Sequence, residues 1–263
     1  MNTYHLETSV HDPIHGYIPY VDLGDGAEVC ERDILQHPWV QRLRHIHQLQ
    51  SAWWVYPSAE HSRYPHVIGV MHLASRWVEH LYPSLKSVCS DVPSRGYIET
   101  LMRMAGLLHD VGHGPFGHFF DEHFLHQFSL THESLGAHII RDQLGDLLSQ
   151  LRGNPNSRLA DGEQLDVEQI AWIIQRPTTS GDDHQPRWMM LLRSLLSGVY
   201  TIDNMDFVLR DAYMTGYSQR SYDMDRLMRY TFFSNEGLTL HDRGIPALLR
   251  FTAARAELFR NIY

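Results

Sequence analysis

Apolar residues recur at three- and four-residue steps along most of this chain, the period of a buried helix face. Val67, Val70, Met71, Ala74, Val78 and Leu81 predict one long helix opening at Pro65. Leu101, Met104, Ala105 and Leu108 predict a second, ended where Gly112, Gly114 and Pro115 forbid continuation. Thr131 is placed to cap a third that carries Leu135, Ile139, Ile140, Leu144 and Leu147. Asp166 with Gln169 has the spacing of a capping box before Ile170, Ile173 and Ile174. Ala247, Phe251, Ala254, Leu258 and Ile262 give a last helix one apolar stripe. Strand patterns are confined to Tyr17–Tyr20 and to Leu238–Leu240 after the turn at Asn235–Gly237. Arg152–Glu163 and Pro177–Pro186 are polar and predict loops. Neither has the length of a domain linker and no repeat recurs, so residues 1–263 read as one mainly α domain with one or two short β-hairpins. The last helix reaches Tyr263 with no stop signal, which fits either a chain lacking the C-terminal part of a longer protein or an end packed on a partner.

The balance of 22 Lys+Arg against 31 Asp+Glu, a net charge of −9, argues against long nucleic acid and anionic membranes as partners. A nucleotide site would have to be a local basic pocket. No apolar run approaches the length of a membrane helix, Met1–His11 lacks a signal-peptide core, and two cysteines are too few for a disulfide framework. These features predict a cytoplasmic setting. Histidine is the anomaly, at 19 residues in 263.

The strongest chemical signal is Leu107-Leu108-His109-Asp110-Val111-Gly112-His113-Gly114, in which an apolar helix delivers an adjacent imidazole and carboxylate and then breaks. Such a pair suits a divalent cation of borderline softness. For the pair alone, an ordinary helix C-terminus with a histidine near the negative dipole end explains it as well. His66 and Asp203 also sit at the edges of apolar helices, where they can reach a shared site.

In order and spacing, His66, His109–Asp110 and Asp203 resemble the H…HD…D pattern of HD-domain metal-dependent phosphohydrolases. Asp12-Pro13-Ile14-His15-Gly16, Gln41-Arg42-Leu43-Arg44, Gln48-Leu49, His61-Ser62-Arg63-Tyr64, Thr131-His132-Glu133 and Arg210-Asp211 extend the resemblance to the deoxynucleoside triphosphate triphosphohydrolase branch. The resemblance implies an HD-domain helical bundle holding one divalent ion (Fe, Mn, Ni, Zn or Mg) on His66, His109, Asp110 and Asp203. It also implies Mg accompanying a nucleotide substrate, and assembly into a homo-oligomer. His132 would be the proton donor to the leaving oxygen; taken alone it is equally a helix-start residue with its ring in water. His113, His118 and Asp121 would line the pocket and position water or the α-phosphate. Arg63 and Arg255 would contact phosphate, Gln48 and Leu49 the sugar and base, Asp211 the 3′-hydroxyl, and Tyr263 would stack on the sugar.

Three positions depart from the vertebrate branch: Asn204 replaces a phosphate-binding Lys, Phe207 a Tyr and Phe259 a His. They weaken an outer-phosphate clamp, because β- and γ-phosphates need several charge-assisted bonds. Gln41 and Arg44 match residues that hold an activating guanine nucleotide, whereas Gln36 stands where the guanine-reading Asp would be. The competing functions are an HD-type nucleotidase or phosphodiesterase, and a non-catalytic nucleotide-sensing subunit.

Overall fold

The computed structural model describes residues 7–23, 28–175 and 185–263. Most of the predicted Pro177–Pro186 loop lies outside them. The described chain opens with an antiparallel pair, β1 (Glu7–Asp12) and β2 (Gly16–Val21). Asp12 closes their turn by accepting from the Ile14 and His15 amides, both at 2.9 Å. Two short helices follow, α1 (Glu31–Gln36) and α2 (Pro38–Gln41), and then the central pair, α3 (Arg63–Val88) and α4 (Arg95–Leu108).

The predicted stripe of α3 is buried throughout, as are Ile68, Leu73 and Trp77 beside it, while Glu79 and His80 on the opposite side are exposed. A helix with so wide an apolar face packs on several neighbours at once. Accordingly α3 packs on α4, on α10 (Ile202–Met214) and on β5 (Thr231–Ser234), which pairs with β6 (Gly237–Leu240). Between α4 and α10 lie α5 (His118–His123), α6 (His132–Ile139), α7 (Gly145–Gln150), α8 (Val167–Ile174) and α9 (Arg187–Arg193). After α10 come α11 (Met224–Arg229) and α12 (Ile245–Asn261), whose predicted stripe from Ala247 to Ile262 is buried.

Three expectations change in detail. The helix begun at Thr131 passes from α6 to α7 through a π-helical turn at Ile140–Leu144. Asp166 caps α8 by accepting from the Glu168 amide at 2.9 Å, but Gln169 completes no capping box, because its side chain takes the Tyr97 hydroxyl at 2.9 Å. The predicted loop Arg152–Glu163 contains a third antiparallel pair, β3 (Gly153–Asn154) and β4 (Ser157–Arg158), so the described residues hold three hairpins rather than one or two. Asn154 Oδ1 nucleates that turn by accepting from the Asn156 and Ser157 amides at 3.0 and 3.1 Å. No helix among the described residues is long and apolar enough to cross a membrane.

Candidate active site

His66 stands in the first turn of α3, His109 caps the C-terminus of α4, Asp110 follows it, and Asp203 lies in the first turn of α10. Thr201 starts α10 by accepting the Asn204 amide at 3.0 Å, which aims Asp203 back toward α3. His66 Nε2 is 3.2 Å from Asp203 Oδ1 and 3.9 Å from Asp110 Oδ2. His109 Nε2 is 3.4 Å from Asp110 Oδ1 and 3.7 Å from Asp203 Oδ1. His66, His109 and Asp203 each bring a donor atom within 4.8 Å of the others', and Asp110 flanks them with one oxygen toward each imidazole.

Both rings are held at the nitrogen that faces away from this cluster. His109 Nδ1 lies 2.8 Å from the Gly106 carbonyl, which can only accept, so Nδ1 carries the proton. His66 Nδ1 lies 2.7 Å from Asp206 Oδ2. Ligating imidazoles are commonly fixed this way, by a carbonyl or carboxylate on the far nitrogen. His109 Nε2 is buried and has no hydrogen-bond partner, an unmet valence that a cation would satisfy. Burial opposes a charged His66, yet Asp203 and Asp206 push it up to about 10. Burial would likewise raise Asp110, but Arg63 and the neighbouring imidazoles hold it well below the usual carboxylate range. The pocket thus favours positive charge, and its donor set fits a divalent ion.

Asp206 carries this arrangement, although sequence reasoning gave it no role. It is fully buried and accepts two bonds from Arg210, at 2.8 and 2.9 Å, while His15 Nε2 lies 2.6 Å from its Oδ1. Arg210 in turn donates to Asp12 at 2.7 Å. The Asp-Pro-Ile-His-Gly turn, conspicuous in the sequence, thereby braces the far side of His66. Gly69 makes room, because a Cβ there would meet Asp206 Oδ1 at 2.0 Å and Arg210 Nη2 at 2.5 Å.

A second cluster adjoins the first. Asp121 Oδ2 lies 2.6 Å from His132 Nδ1 and 3.3 Å from both His113 Nδ1 and His118 Nδ1. The His113 and His132 rings stack at 3.8 Å. Burial would raise Asp121, but the three imidazoles hold it below its ordinary value; burial keeps His113 low and neutral. Gly112 sets the position of His132, since a Cβ on Gly112 would come within 2.0 Å of the His132 carbonyl. Arg42 braces the same loop by donating to the Val111 and His113 carbonyls at 2.6 and 2.7 Å.

Both clusters border one cavity of about 1090 Å³. Gln48, Leu49, Arg63, Asp211, Arg255 and Tyr263 all line it, as do His66, His109, Asp110, Asp203, His118 and His132. His113 and Asp121 do not line it, contrary to expectation; they stand behind the wall and hold His132. Arg63 is buried and donates to Asp110 Oδ2, while the Nε atoms of Arg63 and Arg255 have no partner. Asp211 is engaged on both oxygens, by His61 Nε2 at 2.7 Å and by the Tyr263 hydroxyl. Asn204, Phe207 and Phe259 occupy the wall where a clamp would stand. Gln41 and Arg44 lie off this cavity and bond to each other at 2.8 Å. Trp54, unremarked in the sequence, stands exposed on the cavity rim.

The uncharacterized protein YwfO of Bacillus subtilis is 29% identical over 252 residues, covering 96% of this chain and 50% of its own length. The deoxynucleoside triphosphate triphosphohydrolase SAMHD1 of Bos taurus is 29% identical over 246 residues, covering 84% of this chain and 38% of its own. The chain thus spans half the length of these curated relatives, or less. A solved structure of a hypothetical protein from Aquifex aeolicus superposes with a TM-score of 0.75 at 27% identity, over 98% of this chain and 60% of that one. The HD domain family model matches residues 63–206, more than half of the chain and a span holding His66, His109, Asp110 and Asp203, and the chain belongs to that family.

Proposed function

We propose that the protein is a metal-dependent phosphohydrolase acting on deoxynucleoside triphosphates and releasing deoxynucleoside and triphosphate. The observation that carries this reading is the convergence of His66, His109 and Asp203, flanked by Asp110, in a cavity also lined by His132 and two arginines. A divalent ion held by those four side chains would supply Lewis-acid polarisation of the phosphate and acidify water. Arg63 and Arg255 present unsatisfied N–H groups to non-bridging oxygens, where charge grows in the transition state. Water attacks the α-phosphorus and the bond to the 5′-oxygen breaks. His132, held by Asp121, protonates that oxygen so that it leaves as a neutral hydroxyl; such general-acid help is worth about 10²–10⁴-fold. Leu49 and Phe207 offer apolar surface to the sugar and base. Asp211 takes the 3′-hydroxyl in place of the Tyr263 hydroxyl.

The wall favours one variation. Asn204 and Phe207 bring no charge and no hydroxyl to the outer phosphates, which supports looser discrimination among mono-, di- and triphosphates, as in an HD-type nucleotidase. A panel of dNTPs and NTPs with Mn and with Mg, products identified by chromatography, decides between them. Nucleoside plus triphosphate is the expected result; stepwise release of phosphate supports the nucleotidase. No turnover with either metal overturns the catalytic reading.

A further inference from the structure

We propose that His113, His118, Asp121 and His132 form a second cation site, suited to a borderline transition ion such as Zn²⁺, whose occupation takes His132 out of proton transfer. One donor atom from each residue lies within 4.8 Å of all the others. Asp121 Oδ2 is 3.3 Å from His113 Nδ1 and from His118 Nδ1, and 2.6 Å from His132 Nδ1. A tetrahedral zinc with ligands at about 2.0–2.1 Å separates its ligand atoms by roughly 3.3 Å. Two of the three nitrogen–oxygen pairs already have that separation; the His132–Asp121 pair has to widen, and the stacked His113 and His132 rings have to turn so that both in-plane lone pairs meet the ion.

The valences of the cluster are unmet. His113 is 1% exposed, and its Nδ1, aimed at Asp121, makes no hydrogen bond. Asp121 Oδ1 is also buried and unpartnered. Buried polar atoms seldom stay unsatisfied, and here two of them belong to one cluster. His113 is already in the form a ligand needs: its Nε2 lies 3.3 Å from Asp110 Oδ1, leaving the lone pair on Nδ1. For His118 and His132, the proton on Nδ1 moves to Nε2 or to solvent as the ion enters. The side chain of His118 is 63% exposed, so an ion has a path in.

Three neutral imidazoles and one carboxylate favour zinc, cobalt or copper over magnesium, which prefers oxygen. Four protein ligands also close a tetrahedral shell and leave no position for substrate. With Nδ1 on a cation, His132 carries a neutral N–H at Nε2, a far weaker acid than an imidazolium. This consequence rests on the phosphohydrolase reading; the binding of the ion does not.

The test is zinc stoichiometry on the full chain, stripped with a chelator and titrated by calorimetry with elemental analysis. Wild type should bind two equivalents, His66→Ala one, His118→Gln one, and the double variant none. Because His118 is largely exposed, His118→Gln should keep the wild-type melting curve, which is measured alongside. Co²⁺ in the His66→Ala protein should give the intense visible bands of a four-coordinate ion, and these should vanish on adding His118→Gln. A single equivalent in wild type that His66→Ala abolishes, or two equivalents retained by a folded His118→Gln protein, overturns the site. If zinc binds as stated while no nucleotide is turned over, the site stands and the phosphohydrolase reading falls.

Discussion

Replacing Asp206 by Asn tests whether the far side of His66 governs the metal. Asp206 is 0% exposed and serves three partners: His66 Nδ1 at 2.7 Å, Arg210 twice, and His15 Nε2 at 2.6 Å. An amide has one acceptor oxygen, and its NH₂ group would face N–H donors of Arg210 or His66. His66 is then no longer fixed with its lone pair on Nε2. Loss of such an outer partner typically weakens a metal by about 10–100-fold, or roughly 1.4–2.7 kcal/mol. Stability falls separately, because Arg210 keeps only Asp12 as counter-charge. Breaking a buried pair removes about 3–5 kcal/mol, and the surviving Asp12 contact places the expectation near the lower figure. At about 2–4 °C per kcal/mol, the metal-free protein should melt about 6–12 °C lower. Chelator competition measures the first effect and thermal melting with chelator the second. Gly69→Ala is the companion variant: its Cβ would collide with Asp206 and Arg210 without altering any charge, and it should weaken metal binding in the same direction. A folded Asp206→Asn protein with wild-type metal affinity would refute the role given to Asp206.

Asp110→Ala should abolish metal retention and turnover together; elemental analysis showing metal retained at wild-type stoichiometry would remove Asp110 from the ligand set. His132→Ala should keep the metal at the first site and slow turnover by about 10²-fold or more, and an unchanged kcat at neutral pH would exclude it as the acid. Asn204→Lys adds one charged contact in the cavity wall, worth about 1.5–3 kcal/mol, so KM for triphosphates should fall by roughly 10–150-fold with little change for monophosphates. Equal effects on mono- and triphosphates would show that the new charge does not reach the outer phosphates.

The parts of the fold that were legible are those where one periodic stripe meets the core. The stripes of α3, α4 and α12 are buried as read, because burial selects apolar side chains every three or four residues and leaves that period in the sequence. β1 leaves no such period, for the converse reason. Its one fully buried residue is Asp12, so Glu7–Asp12 carries no apolar alternation, and its place comes from pairing with β2 and from the two bonds of Asp12 to its own turn. β3 and β4 are two residues each and are held by the Asn154 side chain, with no periodicity to detect.

The site divides along the same line. His109, Asp110 and His113 occupy one short loop, and Gly112 packs that loop against the carbonyl of His132, so the residues gathered there leave a compact motif at close spacing. The supporting residues leave none. Asp206 and Arg210 are four apart on one helix, the spacing of an ordinary surface ion pair worth a few tenths of a kcal/mol. Only burial, with His15 and His66 arriving from elsewhere in the chain, turns that pair into the brace of the His66 ring. His61 and Tyr263 reach Asp211 across 150 and 52 residues, distances over which one sequence shows no coupling. The family resemblance implies that Asp121 lines the pocket. Its oxygen is instead shared among three imidazoles behind the wall, and there it sets which nitrogen of His132 points into the cavity. A side chain that acts by fixing another's tautomer is selected for position in space, and position in space is what a linear pattern does not carry.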